Sequence, residues 1–138
     1  MRAVLDVSVL ISALLSRTGT PARLLLAGQE GRFELIVSPG LLAELGRALA
    51  YPKLRRLIPA SDAEAFVAWL SRSAVLARDL EGPAPIRCAN PGDDYLISLA
   101  ADQHAVLVSG DGHLLALAGD FPIQTPAAFL SKVIDATD

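Results

Sequence analysis

Two rhythms of apolar and polar positions run along this chain, and one passes into the other several times. Val4 and Leu5 lead straight into Asp6, and apolar residues resume at Val7, Val9, Leu10 and Ile11. A run this apolar on both sides of one carboxylate predicts a strand buried on both faces, followed directly by a helix through Leu15. Phe33 to Val37 repeats the pattern, with Ser38 as helix cap and Pro39 as first residue of a helix to Ala50. Ala74 to Ala77 is a weaker third strand, Ala105 to Val108 a fourth buried one, and Pro122 to Gln124 a short fifth. Between them, helices are expected from Pro21 to about Gln29, from Asp62 to about Ser71, from Pro91 through Ala100, and through Leu114, Leu115 and Leu117. A last helix runs from Pro126 to Ile134. Ser61 with Glu64 three residues later reads as a capping box for the Asp62 helix.

Strand-then-helix units in succession imply parallel strands joined by helical crossovers. The fold class expected is α/β, three layers in α/β/α order around a central parallel sheet of four or five strands. With 138 residues, 52% of them hydrophobic, the chain has the length of one domain, residues 1–138, and ample material for one core. No apolar stretch is long enough for a membrane span, and Met1 leads into a strand pattern instead of a secretory leader, so the cytoplasm is the expected compartment. Cys88 is the single cysteine, which excludes an intrachain disulfide and leaves a zinc site without thiolates.

A net charge of −3 argues against tight, indiscriminate nucleic-acid binding. It does not exclude a nuclease that holds metal in an acidic pocket and carries a basic rim. Arg17, Arg23, Arg47, Lys53, Arg55 and Arg56 are candidates for that rim, or else ordinary solvated charges.

Each acid along the chain has a plain structural explanation. Asp6 can cap the first helix. Glu44 lies about 60° outside the stripe formed by Leu41, Leu42, Leu45 and Leu49, where it can lean over the sheet edge or face solvent. Asp93 and Asp94 fall in the first turn of a helix opened by Asn90 and Pro91, and complement its dipole. Asp111 before Gly112 is a turn pair. Their joint placement has fewer explanations. Strands wound with right-handed crossovers share one carboxyl edge, which collects Asp6, Glu44 and Asp111, and Asp93 can join them from its helix start. So many carboxylates cannot all stay ionised side by side without a cation or raised pKa values, and oxygen-only ligands favour Mg²⁺ or Mn²⁺ over zinc. His104 and His113 do not have the spacing of a two-histidine zinc helix, and solvent or helix-end roles suit them better.

The segments DVSVLISALL, VSPGLLAEL, NPGDDYLISLA and LVSGDGHLLAL, in this order and spacing, resemble the PIN-domain family, in particular bacterial PIN proteins of the VapC-like toxin group. The resemblance covers nearly the whole chain. It implies a doubly wound α/β sheet and a Mg²⁺- or Mn²⁺-dependent ribonuclease that cuts RNA with metal-activated water, leaving 5′-phosphate and 3′-hydroxyl ends. By position, Asp6, Glu44, Asp93 and Asp111 match the four family acids; Asp6, Asp93 and Asp111 would be the main metal ligands and Glu44 a ligand or base. Ser8 and Ser109 match the small polar positions beside the first and last acids, and Asp94 could share or replace the role of Asp93. Asn90 stands where the family usually has Asp, keeping the capping ability but dropping a charge. The resemblance also implies an RNA substrate, an antitoxin partner and a homodimer. The other reading is a PIN-fold module that binds RNA or protein without cutting.

Overall fold

A computed structural model describes residues 1–136. Strands β1 (Arg2–Leu5), β2 (Glu34–Val37), β3 (Val75–Leu76), β4 (Val106–Val108) and β5 (Ile123–Gln124) form one sheet in the order β3-β2-β1-β4-β5. Every pairing is parallel, with Ala3 beside Val106, Leu5 beside Val108, Ala3 beside Leu35, Val37 beside Leu76 and Val108 beside Gln124. The chain winds outward from β1 to β3, then crosses back over β1 to β4 and β5. Right-handed connections put these two directions of winding on opposite faces, which gives the three layers.

On one side lie α1 (Val7–Leu15), α2 (Thr20–Gln29), α3 (Pro39–Leu49) and α5 (Ala60–Ser73), with α1 against α2 and α3, and α3 against α5. The short α4 (Pro52–Arg55) links α3 to α5, α6 (Asp94–Asp102) packs on β1 and β4, α7 (Gly112–Leu115) follows β4, and α8 (Pro126–Ala136) closes against α2. The central strands behave as their apolar runs require: Val4, Leu5, Ile36, Val37, Leu107 and Val108 are fully buried. At the sheet edge, by contrast, Val75 and Leu76 of β3 are exposed. No described helix is long and apolar enough to cross a membrane.

Local signals set most boundaries. The side chain of Asp6 accepts from the N–H of Val9 and starts α1; that of Ser38 accepts from Leu41, ahead of Pro39, and starts α3. Gly31, at φ +80°, makes the left-handed turn between α2 and β2.

Three expectations fail locally. Ser61 is no cap: α5 begins at Ala60, after Pro59, because the fixed φ of proline already leads the chain into the helix, and Ser61 falls inside the first turn. The third strand shrinks to Val75–Leu76, which lie in register with Ile36 and Val37 of β2. The helix expected from Pro91 starts as a 3₁₀ turn, Pro91–Asp93, and becomes α-helical only at Asp94. The side chain of Asn90 accepts from Gly92 N–H and its carbonyl from Asp93 N–H, an i to i+3 closure that tightens the turn.

Candidate active site

In a 3-2-1-4-5 sheet the strand order reverses at β1 and β4, and a crevice opens beyond their carboxyl ends. Asp6 is the first residue past β1. Its N–H still donates to the carbonyl of Val108 at 3.1 Å, which ties it to the end of β4. One carboxylate oxygen accepts from Val9 N–H at 2.8 Å, the helix cap. The other accepts from the hydroxyl of Ser109, the first residue past β4. The capping explanation therefore accounts for one oxygen of Asp6, and the second is held by Ser109 across the ends of β1 and β4.

Ser109 is fully buried and serves both strands: its hydroxyl donates to Asp6 and accepts from Asp111 N–H at 2.9 Å. Asp111 in turn caps α7, accepting from His113 N–H at 2.8 Å. Glu44 leans from α3 over the sheet edge, where the Tyr95 hydroxyl donates to it. Asp93, at the end of the 3₁₀ turn, completes the group. Asp6, Glu44, Asp93 and Asp111 border one cleft of about 260 Å³, with Ser8 and Tyr51 also on its wall and no basic side chain among the lining residues.

The neighbouring Asp94 does not share this place. Its carboxylate accepts from Cys88 N–H at 2.8 Å, holding the loop that precedes the turn, and it is absent from the cleft wall. Consecutive positions at a helix start point about 100° apart, so only one of the two acids can face the crevice.

The electrostatics match the crowding. Burial raises the pKa of Asp6 above its ordinary 3.8; the bonds from Ser109 and Val9 pull it down, and the charges of Asp111 and Glu44 push it up again. Asp93 is also raised, first by burial and then by Asp111, Glu44 and Asp6, with His113 acting in the opposite sense. Tyr95 is raised by burial and by Glu44, so its hydroxyl remains a donor.

The donor set is oxygen throughout, the chemistry that a hard divalent cation takes. Among the described residues no three His, Cys, Asp or Glu side chains are drawn together tightly enough to enclose an ion as they stand. Asp6, Glu44, Asp93 and Asp111 border a shared space, and a hard cation there would take its oxygen ligands from these four side chains.

Tyr95, Tyr51 and His113 are contributors that sequence reasoning missed. A hydroxyl-bearing aromatic two residues after Asp93 was a usable signal for the first. Tyr51 carries no sequence signal of its own, and the helix-end role expected of His113 does not foretell that its charge reaches Asp93.

Comparison with known proteins agrees with this architecture. The chain superposes on the crystal structure of PAE2754 from Pyrobaculum aerophilum with a TM-score of 0.66 at 17% identity, covering 98% of this chain and 90% of that one. It superposes on VapBC2 from Rickettsia felis, solved bound to a DNA fragment from its promoter, with a TM-score of 0.62 at 12% identity, covering 91% and 98%. These likenesses show the fold. In sequence it is 27% identical over 119 residues to the uncharacterized protein MJ1680 of Methanocaldococcus jannaschii, covering 85% of this chain and 75% of that protein. A family model of the PIN domain matches residues 2–113, a span that holds β1, β2, β4 and all four carboxylates of the cleft, and the chain belongs to the PIN domain family.

Proposed function

We propose that this protein is an endoribonuclease dependent on Mg²⁺ or Mn²⁺, the toxin of a toxin–antitoxin pair. One observation carries the reading: four carboxylates from distant parts of the chain border a single cleft that contains no basic side chain, with Asp6 buried and its pKa raised by burial. A purely structural role does not call for so much like charge in one place.

Asp6, Asp93 and Asp111 would hold the cation, with Glu44 as a further ligand or as the base. When bound, such a cation polarises the scissile phosphoryl group and lowers the pKa of the attacking water. The remaining work falls to the chain. Ser109, donating to Asp6 while accepting from Asp111 N–H, ties together two acids that lie past the ends of adjacent strands. Tyr95 restrains Glu44, and α1 orients Asp6 through its first turn. The products would carry 5′-phosphate and 3′-hydroxyl ends. The VapBC2 likeness supports an antitoxin partner for this protein, and an acidic cleft open to solvent suits an inserted basic side chain.

The test is cleavage of end-labelled RNA by the purified protein. Mg²⁺ should be required, fragments should carry 5′-phosphates, and Asp6→Asn should remove cleavage while circular dichroism stays unchanged. Cleavage that persists in a chelator, or in Asp6→Asn, contradicts the proposal.

A further inference from the structure

Next to the acidic cleft, and sharing Glu44 and Tyr51 with it, lies a larger hollow of about 490 Å³. Gly40, Arg47, Asp79, Gly92 and Tyr95 form the rest of its wall. Its volume falls within the roughly 300–1,000 Å³ range that holds small-molecule ligands. Tyr51 stands where the two hollows meet, 65% exposed, and its side chain has no hydrogen bond, ion pair or ring partner among the described residues. A large aromatic ring left uncovered beside a polar site is unusual in this molecule. Phe33 and Phe129 pack edge to face, and Phe66 and Trp69 stack on each other.

The segment that carries Tyr51 is basic, although Glu44 and Asp79 also line the hollow beside Arg47. From Arg47 to Arg56 the charged residues are Arg47, Lys53, Arg55 and Arg56, all basic, although the chain as a whole carries −3. All four are exposed, and none is in an ion pair among the described residues. Arg47 lines the hollow itself, and Lys53 and Arg55 follow Tyr51 on α4. The one acid on the far wall, Asp79, is engaged with the start of α3, accepting from Gly40 N–H at 2.7 Å.

We infer that this hollow receives the nucleotide next to the scissile phosphate of a single-stranded RNA, with its base stacked on Tyr51 and its phosphate against Arg47. The inference rests on the nuclease reading for which phosphate is cut, and adds the residues that would hold the neighbouring nucleotide. An exposed ring can stack only on an unpaired base, and stacking tolerates any base, so the preference falls on single strands without strict sequence. The acidic cleft repels a phosphate backbone, and a basic flank supplies the attraction that brings the strand across it.

The test is binding of a 5′-fluorescein single-stranded octaadenylate, and of a duplex containing it, to full-length protein carrying Asp6→Asn, in Mg²⁺ buffer. Tyr51→Ala added to that background should weaken single-strand binding about tenfold, within the range for loss of one stacked base, and leave duplex binding as it was. Tyr51→Trp should retain the affinity. Arg47→Ala should lower the slope of log affinity against log salt by about 0.7, the amount for one phosphate on a single strand. Undetectable binding by the Asp6→Asn parent, unchanged single-strand binding in both Tyr51→Ala and Arg47→Ala, or a Tyr51 effect of equal size on the duplex each overturn the inference. The two readings fail separately. An active-site-intact protein that never cuts RNA, in which Tyr51 still governs binding, removes the nuclease and keeps the hollow; RNA cutting with a KM indifferent to Tyr51→Ala removes the hollow and keeps the nuclease.

Discussion

The ends of β1 and β2 solve the same backbone problem with different residues. Each strand passes straight into a helix, and each first residue past the strand is extended, buried and accepts an N–H three positions on: Asp6 from Val9 at 2.8 Å, Ser38 from Leu41 at 3.2 Å. Serine meets that need with a neutral hydroxyl. Aspartate meets it while burying a charge, and its surroundings add the charges of Asp111 and Glu44 to the cost. Beside β2, the nearby acid Asp79 is exposed and bound to a backbone N–H. A cap is what the fold requires at both places; capping alone does not call for the negative charge at β1, whose second oxygen is held by Ser109.

The same contrast recurs within one dipeptide, and there it should produce the largest effect. Asp93→Ala should lower Mg²⁺-dependent cleavage by about a hundredfold or more, beyond the roughly 10–100-fold typical of residues one step removed from a metal, while thermal stability holds or rises. Asp94→Ala should do the reverse, reducing stability by about 1–3 kcal/mol as Cys88 N–H loses its acceptor, with cleavage within a few-fold of the parent. Equal losses of cleavage in the two variants would erase the distinction.

Acidity offers an intermediate effect. Asp6 and Asp93 have raised pKa values, so the folded chain binds their protons more readily than the unfolded chain, whose carboxyls titrate near 3.8. Between that value and their raised folded values, rising pH ionises the unfolded form first and stability falls. Above the window the deficit is constant. Without divalent ions, these two groups should therefore make the protein more heat-stable as the pH falls through their raised values toward 3.8, and Asp6→Asn with Asp93→Asn should flatten the trend in a pH series of melting temperatures. A slope of the same size in the double variant refers the effect to other groups.

The smallest effect concerns the caps alone. Ser38→Ala should cost about 0.5–2 kcal/mol, the usual loss for a missing helix cap. Asp6→Ser keeps a capping oxygen and removes the buried charge, so its metal-free stability at neutral pH should equal or exceed that of the parent. Denaturant unfolding of both variants measures this, and a large loss in Asp6→Ser would mean that the carboxylate is a structural requirement after all.

Much of the frame was legible because it rests on short-range pattern. The apolar runs at Val4–Leu5 and Leu107–Val108 are strands buried on both faces, and Pro39 after Ser38 is a helix start that needs no distant partner. The meeting of Asp6, Glu44 and Asp111 also followed, because parallel winding sends strand ends to one edge, and Asp93 joins them from the 3₁₀ turn before α6. What periodicity could not carry was pairing across the chain. Tyr95 meets Glu44 over 51 positions and Ser109 meets Asp6 over 103, and neither separation leaves a local signature. The choice between Asp93 and Asp94 was likewise hidden, since it turns on a 3₁₀ turn and on the position of Cys88 N–H. The failed capping box at Ser61 shows the converse, a local motif overridden by the proline before it.

The central claim, that these four acids together make a seat for a hard dication, is tested most directly by calorimetric titration of Mn²⁺ into the metal-free protein at neutral pH. The account predicts saturable binding that raises the melting temperature, weakens as the solution is acidified toward the carboxylate range, and disappears in Asp6→Asn. No saturable heat, or the same isotherm from Asp6→Asn as from the unaltered chain, would contradict it.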